Sequence, residues 1–195
     1  LLCLTASLMQ SGKIINNKIF TRPGVIMLAS VQLISILLSF LILIYIFLVS
    51  DFNFDLVYFN SHSEKPLIYK LSGVWGNHEG SMLLWILILV LFNFLFALSR
   101  RISERFKDIT VAIQSIMIFG FVSFLFFLSN PFALNQNNFF DGIGLNPILQ
   151  DPLLAIHPPV LYVGYVGFSL VFSLAIAGLI TKEVDQHWAS IVKPW

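Results

Sequence analysis

The residues with the clearest chemical potential lie in two segments, NPILQDPLLAIHPP (146–159) and VWGNHEGS (74–81). In the first, His157 precedes two prolines, and the residue before a proline favours extended backbone. We expect Pro158 and Pro159 to begin a helix, whose positive end disfavours an imidazolium and keeps the ring neutral. A neutral imidazole with a free nitrogen can ligate iron or accept a proton. The alternative is that His157 only caps a loop by hydrogen bonding.

The second segment places Trp75, His78 and Glu79 immediately before an apolar run. A histidine and a carboxylate at a membrane boundary suit a proton relay, a quinone-binding edge or support for a neighbouring metal site. The competing interpretation is interfacial anchoring by Trp75 and Trp85, with His78 among the lipid headgroups. Both interpretations stay open at this stage.

The elements that must position these residues are membrane helices. Fifty-seven per cent of the residues are apolar and the mean hydropathy is +0.87, whereas a soluble domain is about 45–50% apolar. Four apolar runs approach the roughly 20 residues that a membrane-spanning helix needs. The sequence therefore predicts an all-α, polytopic integral membrane protein, a single membrane domain over residues 1–195 with part of a fifth helix at the N-terminus. The predicted spans are 25–49, 81–98, 109–128 and 160–180.

The basic residues predict the orientation of these spans. If every run crosses the membrane, nine of the eleven Lys and Arg residues fall on one side, which the positive-inside rule makes the cytoplasm or matrix. Segments 50–80 and 129–159 are then the two outward-facing loops. The nine residues are Lys13, Lys18, Arg22, Arg100, Arg101, Arg105, Lys107, Lys182 and Lys193.

Several local features predict how the helices begin and pack. We expect Pro23 and Gly24 to break the chain before the first span, and Ser81 to cap the second. The small residues of the fourth span indicate close approach of partner helices; they are Ser169, Ser173 and Ala177. Three polar residues inside the spans are expected to form interhelical hydrogen bonds; they are Gln32, Asn93 and Gln114.

The outward segment 130–159 combines five prolines with many apolar side chains. The prolines argue against a long helix, while the apolar residues do not suit a free loop. We therefore expect a buried, shaped lid that lies against the membrane or another protein, with one or two short interfacial turns.

Composition also excludes several classes of protein. Cys3 is the single cysteine, so the chain has no internal disulfide, is not a dithiol oxidoreductase and is not itself a c-type cytochrome. The formal charge of +1 and the lack of a basic patch argue against a nucleic-acid partner. We expect the remaining histidines, His62 and His187, to be solvated. The sequence contains no recognisable nucleophile triad, P-loop or zinc motif.

At WGNHEGSMLLW (75–85), SNPF (129–132) and LNPILQDPLLAIHPPVLYVGYVGFS (145–169), the chain resembles the N-terminal part of the CcmF family. These proteins are the membrane haem lyases of the multi-subunit cytochrome c maturation pathway. The resemblance runs in order from the opening LLCL to the closing KPW, and two long motifs at the expected separation are far more specific than one short pattern.

The resemblance implies a function and a set of partners. In that family, haem arrives on a chaperone and is attached to the CxxCH thiols of apocytochrome c on the outer face. Two outward histidines flanking a tryptophan-rich (WWD) segment ligate the incoming haem iron, and His157 matches the first of them. Two further histidines within the membrane hold a resident b haem. The implied partners also include the protein that reduces the apocytochrome thiols.

This sequence departs from the family pattern, because it contains no WWD segment and no match for the other three histidines. We therefore expect the transferred haem to be bound at a site shared with a partner chain, and the resident b haem to lie on that partner. Alone, the chain is not expected to be catalytic.

The source of the missing part has two interpretations, a fragment of a longer protein or a split gene whose remaining polypeptide carries the WWD segment. Twenty phenylalanines, with many Ile, Asn and Leu residues, are typical of an AT-rich genome such as that of an organelle. This composition favours a split subunit of the mitochondrial inner membrane, and we expect His157 and His78 to face the intermembrane space. A bacterial inner membrane is the alternative location. Two other functions stay open: an accessory subunit of a respiratory assembly that has lost its haem role, and a quinone- or proton-handling subunit.

Overall fold

The computed structural model describes residues 1–15, 21–100, 102–137 and 139–195. Within these ranges every regular element is a helix, and an isolated β-bridge pairs Phe54 with Leu134. The predicted all-α fold class is confirmed. Two 3₁₀ turns cover Gly12–Ile14 and Pro147–Leu149. The α-helices are α1 (Leu2–Ser11), α2 (Arg22–Leu48), α3 (Asp55–Asn60), α4 (Leu67–Gly73), α5 (His78–Ala97), α6 (Glu104–Phe127), α7 (Pro152–Thr181) and α8 (Gln186–Val192).

Four of these helices are long and apolar enough to cross a membrane, as predicted. They are α2, α5, α6 and α7, with 27, 20, 24 and 30 residues. Each begins several residues before the predicted start of its apolar run, because polar residues and prolines are tolerated in the first turn of a helix. Two of the basic residues used to predict orientation, Lys18 and Arg101, lie outside the described residues.

Two predicted helix starts are wrong. Pro23 and Gly24 lie inside the first turn of α2, where a proline removes no helical hydrogen bond. Ser81 does not cap α5, since its hydroxyl donates back to the carbonyl of His78. The capping residue is Asn77, whose Oδ1 accepts from the backbone N–H of Gly80 over 2.7 Å.

The chain groups into two compact units, and the prediction of a single domain over residues 1–195 stays a prediction. The first unit contains Leu1–Ile36, Ile86–Val122 and Val163–Trp195. Its apolar core surrounds a group of buried amides and hydroxyls. Asn93 Nδ2 donates to Gln32 Oε1 over 2.8 Å, and Ser115 Oγ donates to Gln10 Oε1 over 2.8 Å. The prediction of interhelical hydrogen bonds from Gln32 and Asn93 is confirmed.

In the same unit, the small residues of α7 pack on α6 of this chain. Gln114 of α6 donates to Ser169 Oγ and accepts from Ser173 Oγ, each over 2.8 Å. Ala177, one turn further along, is fully buried. The small-residue face is therefore used within the chain, so it does not by itself indicate a partner helix.

The second unit contains Leu37–Trp85 and Ser123–Tyr162, and so both segments predicted to face outward. Backbone bonds join the segments, among them Asp55 N to Ala133 O at 3.0 Å and Ile143 N to Tyr58 O at 2.8 Å. The rings of Tyr58 and Phe139 stack with centroids 3.9 Å apart. The segment predicted as an outward-facing loop, 50–80, contains the short helices α3 and α4.

Candidate functional site

The VWGNHEGS segment forms a tight corner between α4 and α5. The side chain of Asn77 joins the two helices, because its Nδ2 donates to the Gly73 carbonyl over 2.7 Å while its Oδ1 caps α5. Gly80 permits the close approach, since a Cβ atom there would lie 1.7 Å from the Val74 carbonyl oxygen. The corner fixes the backbone from which Trp75 and His78 project.

The second part of the site is the beginning of α7, which differs from the prediction. The helix begins at Pro152 instead of after the double proline, because Asp151 caps it: Asp151 Oδ1 accepts from Leu153 N at 2.8 Å and Leu154 N at 3.1 Å. Pro152 occupies the first helical position, where its missing N–H removes no bond.

This earlier start changes the setting of His157. The residue is helical, not extended, and lies in the second turn of α7. The expectation of a neutral imidazole at the positive end of a helix loses its basis, because the dipole acts mainly within the first turn. Pro158 and Pro159 lie inside the helix.

The indole of Trp75 connects the corner with α7. Its Nε1 donates to the Ala155 carbonyl oxygen over 2.7 Å. Beside this bond lies a cavity of about 360 Å³, lined on one side by the corner and on the other by Leu145, Leu149 and the start of α7. Its aromatic lining residues are Trp75, His78 and Tyr162. A cavity of this size and lining can hold a small, partly aromatic molecule or side chain.

His78 is the first residue of α5 and lines the cavity. Its Nδ1 lies 3.0 Å from Ser129 Oγ, and its ring meets Phe124 edge to face. Glu79 is half-buried at the start of α5 but does not line the cavity. The structure therefore brings Trp75 and His78 together, and Glu79 lies beside them outside the cavity wall.

His157 is exposed and does not line this cavity. Leu153, four residues before it, and Val160, three residues after it, share its side of the helix and are 80% and 66% exposed. Of the apolar residues in the predicted lid, Leu145 is buried within this chain, while Ile148 and Ile156 are exposed. Whether the lid lies on a membrane or protein surface stays a prediction.

His62, which we expected to be solvated, is partly exposed and also contacts a carboxylate. Its Nε2 lies 3.3 Å from Asp141 Oδ2, and the Asp141 side chain is partly exposed as well. Hydrogen bonds from the side chain and backbone of Ser63 hold the pKa of the Asp141 carboxyl below its ordinary value. Close by, burial lowers the pKa of Lys65 to about 8. Sequence reasoning missed this cluster because its members lie 78 residues apart.

Among the residues that the structure describes, no group of three or more His, Cys, Asp and Glu side chains is arranged to hold a metal ion. If His157 ligates a metal, the other ligands must come from elsewhere. The fold and these motifs define a multi-pass helical membrane protein. Its candidate site consists of the corner between α4 and α5 and the exposed His157 on α7.

Comparison with known proteins identifies the family. The family model for the cytochrome c assembly protein matches residues 75–194, which begin at Trp75 and include all of α7. The chain belongs to the cytochrome c assembly protein family. The matched region contains Trp75, His78, most of the residues that line the cavity, and His157.

Similar proteins are known from bacteria. The cytochrome c-type biogenesis protein ccl1 of Rhodobacter capsulatus is 50% identical over 161 residues, covering 82% of this chain and 25% of that protein. CycK of Rhizobium meliloti is 52% identical over 158 residues, covering 80% and 23%. CcmF of Escherichia coli is 43% identical over 159 residues, covering 80% and 25%. The chain spans about a quarter of the length of these curated relatives.

A solved structure described as the cytochrome c haem lyase CcmF superposes on the whole chain with a TM-score of 0.80. The chain covers 31% of that structure at 24% sequence identity. At this identity the likeness establishes the fold alone.

Proposed function

We propose that this chain is part of the haem lyase that attaches haem covalently to the CxxCH thiols of apocytochrome c. In this proposal the haem is the substrate, and His157 supplies one axial ligand to its iron while it awaits transfer. The observation that carries the proposal is the exposed His157 on the first turns of α7, inside the region matched by the cytochrome c assembly family.

The length of α7 supports a role for His157 outside the hydrocarbon core. Thirty residues at about 1.5 Å each give a helix of roughly 45 Å, about 15 Å more than the hydrocarbon core is thick. The excess corresponds to about ten residues, and His157 is the sixth residue of α7. The first turns therefore suit a position at the membrane surface, where a soluble donor and acceptor of haem can reach them.

The surroundings of His157 suit a porphyrin. Leu153 and Val160 lie one turn on either side of it and are mostly exposed, so they offer apolar contact to the flat face of a macrocycle whose iron the imidazole ligates. Exposed apolar groups outside the hydrocarbon core favour a site that a ligand or partner covers. This arrangement favours haem ligation over the alternative that His157 merely caps a loop.

The site is incomplete in this chain, so partners are part of the proposal. A second axial ligand and the tryptophan-rich segment are supplied by the remaining CcmF sequence, on a partner polypeptide or a longer chain. The four histidines lie at positions 62, 78, 157 and 187, none in the interior of a long helix away from its ends. The resident b haem is therefore assigned to the partner, as are docking sites for the haem chaperone and the thiol-reducing protein.

The mitochondrial inner membrane is the proposed location, with His157 and His78 facing the intermembrane space. The distribution of Lys and Arg supports this orientation. The phenylalanine-rich composition supports an organellar gene. The bacterial inner membrane is the corresponding location if the gene is not organellar.

Trp75, His78 and Glu79 are proposed to support the haem site, with quinone or proton handling as a second candidate. The cavity lined by Trp75 and His78 supports this second candidate, because a small aromatic ligand could bind there. A quinone- or pH-dependent defect confined to His78→Gln and Glu79→Gln variants supports it, and the same kinetics in both variants as in the wild type contradict it.

The first experiment is purification of the native complex in mild detergent, with mass spectrometry of its polypeptides and a reduced haem spectrum. A tryptophan-rich CcmF polypeptide and b-type haem in the complex support the lyase proposal. Recovery with respiratory-chain subunits alone supports the accessory-subunit alternative, which the cytochrome c biogenesis relatives do not favour.

A further inference from the structure

Two prolines remove backbone donors from the part of α7 that carries His157. In an α-helix, each N–H donates to the carbonyl four residues earlier. Pro158 and Pro159 have no N–H, so the carbonyls of Leu154 and Ala155 lose their helical donors. Ala155 is only 4% exposed, and a buried carbonyl without a donor is strongly destabilising.

Trp75 supplies the donor that Pro159 lacks. Its indole N–H reaches the Ala155 carbonyl over 2.7 Å, a short distance for an N–H···O bond. The position of the indole is set by the corner, where Trp75 N itself donates to the Ser72 carbonyl over 3.2 Å at the end of α4. The bond therefore ties the proline-containing turn of α7 to the corner.

A second tryptophan provides an internal comparison. Trp188 Nε1 donates to the carbonyl of Leu174, also in α7, over 3.2 Å. The ordinary helical donor to the Leu174 carbonyl is the backbone N–H of residue 178, which is a glycine and therefore has that N–H. The Trp188 bond is therefore additional, whereas the Trp75 bond replaces a missing one.

We propose that Trp75 is a positioning residue for His157, acting through the Ala155 carbonyl. This inference rests on the proposed function, because it assumes that the placement of His157 matters for haem. His157 lies between Ala155 and Pro159, so loss of the Trp75 bond frees the turn from which its imidazole projects. The motif containing Trp75 then serves the histidine without touching the haem.

The proposal makes a specific prediction for a rescue experiment. Trp75→Phe keeps an aromatic ring but removes the donor, and Pro159→Ala restores a backbone N–H to the Ala155 carbonyl. In the isolated native complex, amide hydrogen exchange at residues 156, 157, 160 and 161 should rise about tenfold in Trp75→Phe and return to the wild-type rate in the double variant. Trp188→Phe is the matched control and should leave these amides unchanged.

The reduced haem spectrum of the complex provides a second measurement on the same variants. We expect Trp75→Phe to shift or weaken the band that His157→Ala abolishes, and Pro159→Ala to restore it. Unchanged exchange in Trp75→Phe, or a defect that Pro159→Ala does not rescue, overturns the positioning role. So does a haem band that responds to His157→Ala but not to Trp75→Phe.

A distinct outcome identifies failure of the proposed function alone. If Pro159→Ala rescues hydrogen exchange but His157→Ala leaves the haem spectrum unchanged, the Trp75 bond holds α7 as described and His157 is not a haem ligand. That result overturns the haem role of His157 and leaves Trp75 as the residue that holds this turn of α7.

Discussion

His62 Nε2 lies 3.3 Å from Asp141 Oδ2 and so joins the two segments predicted to face outward. His62 Nδ1 accepts from the backbone N–H of Glu64 over 3.2 Å, which leaves Nε2 as the nitrogen that carries a proton toward the carboxylate. Ser63 donates to the same carboxylate through its backbone and its hydroxyl. Asp141 thus anchors the chain just before the segment that leads to the cavity and α7.

Acid should release this anchor. The pKa of Asp141 is lowered by hydrogen bonds from Ser63, so its contribution is fully present above the ordinary carboxyl pKa and is lost as the pH falls through the lower folded-state value. Hydrogen exchange at residues 142–144, corrected for the intrinsic pH dependence, should accelerate only below the ordinary carboxyl range. Asp141→Asn should abolish that acid step, and an acid step that persists in this variant assigns it to another group.

Gly80→Ala should destabilise the protein at the corner between α4 and α5. The added Cβ would lie 1.7 Å from the Val74 carbonyl oxygen, so the backbone must move. The expected loss is about 1–3 kcal/mol of unfolding free energy, measured by thermal unfolding in detergent. Gly120→Ala is the matched control, because nothing lies within 4 Å of its Cβ and alanine favours the helix. Equal stability of the two variants would contradict the described corner.

Asp151→Ala should fray the beginning of α7. The variant loses the side-chain oxygen that accepts from Leu153 N and Leu154 N, a loss of about 1 kcal/mol in helix stability. Hydrogen exchange at the amides of residues 153 and 154 measures the effect. Asp151→Asn keeps a capping oxygen and should retain most of the protection, whereas equal fraying in both variants argues against the cap.

The buried amides of the first unit should show pairwise coupling. Asn93 donates to Gln32 with both side chains fully buried, so a double-mutant cycle with Asn93→Ala and Gln32→Ala isolates their interaction. Interhelical bonds of this kind contribute about 0.6 kcal/mol on average and up to about 1.7 kcal/mol. Thermal unfolding of the four proteins gives the coupling, and a value of zero would mean that the two amides act independently.

The sequence predicted the spans well because lipid imposes a simple rule, a long apolar run for every crossing. It also placed Gln32 and Asn93 correctly as interhelical groups, since buried amides in such runs have few other partners. The start of α7 was not predictable in the same way. Pro158 and Pro159 predicted the first turn of the helix, because a proline in the interior of a helix normally removes a hydrogen bond. The bond that compensates for Pro159 comes from Trp75, 80 residues away.

The candidate site was only partly predicted, because some of its contacts join residues that are distant in the sequence. Trp75, His78 and His157 stand out by residue type, but the acceptor that joins one of them to α7 is a backbone carbonyl of Ala155, which has no sequence signature. Asn77 was missed as the cap of α5 because the helix begins at His78, three residues before the apolar run from which its start was predicted. His157 was predicted to have an extended backbone, but it lies within α7. Its side chain does not line the cavity.

The most direct test of the central claim is haem transfer to a CxxCH apocytochrome by the native complex that carries His157→Ala. The complex should assemble with its usual polypeptides but fail to form holocytochrome, and added imidazole should restore part of the transfer by occupying the vacated ligand position. His187→Ala serves as the control and should transfer haem normally. Normal holocytochrome formation by an assembled His157→Ala complex would contradict the assignment of His157 as a haem ligand.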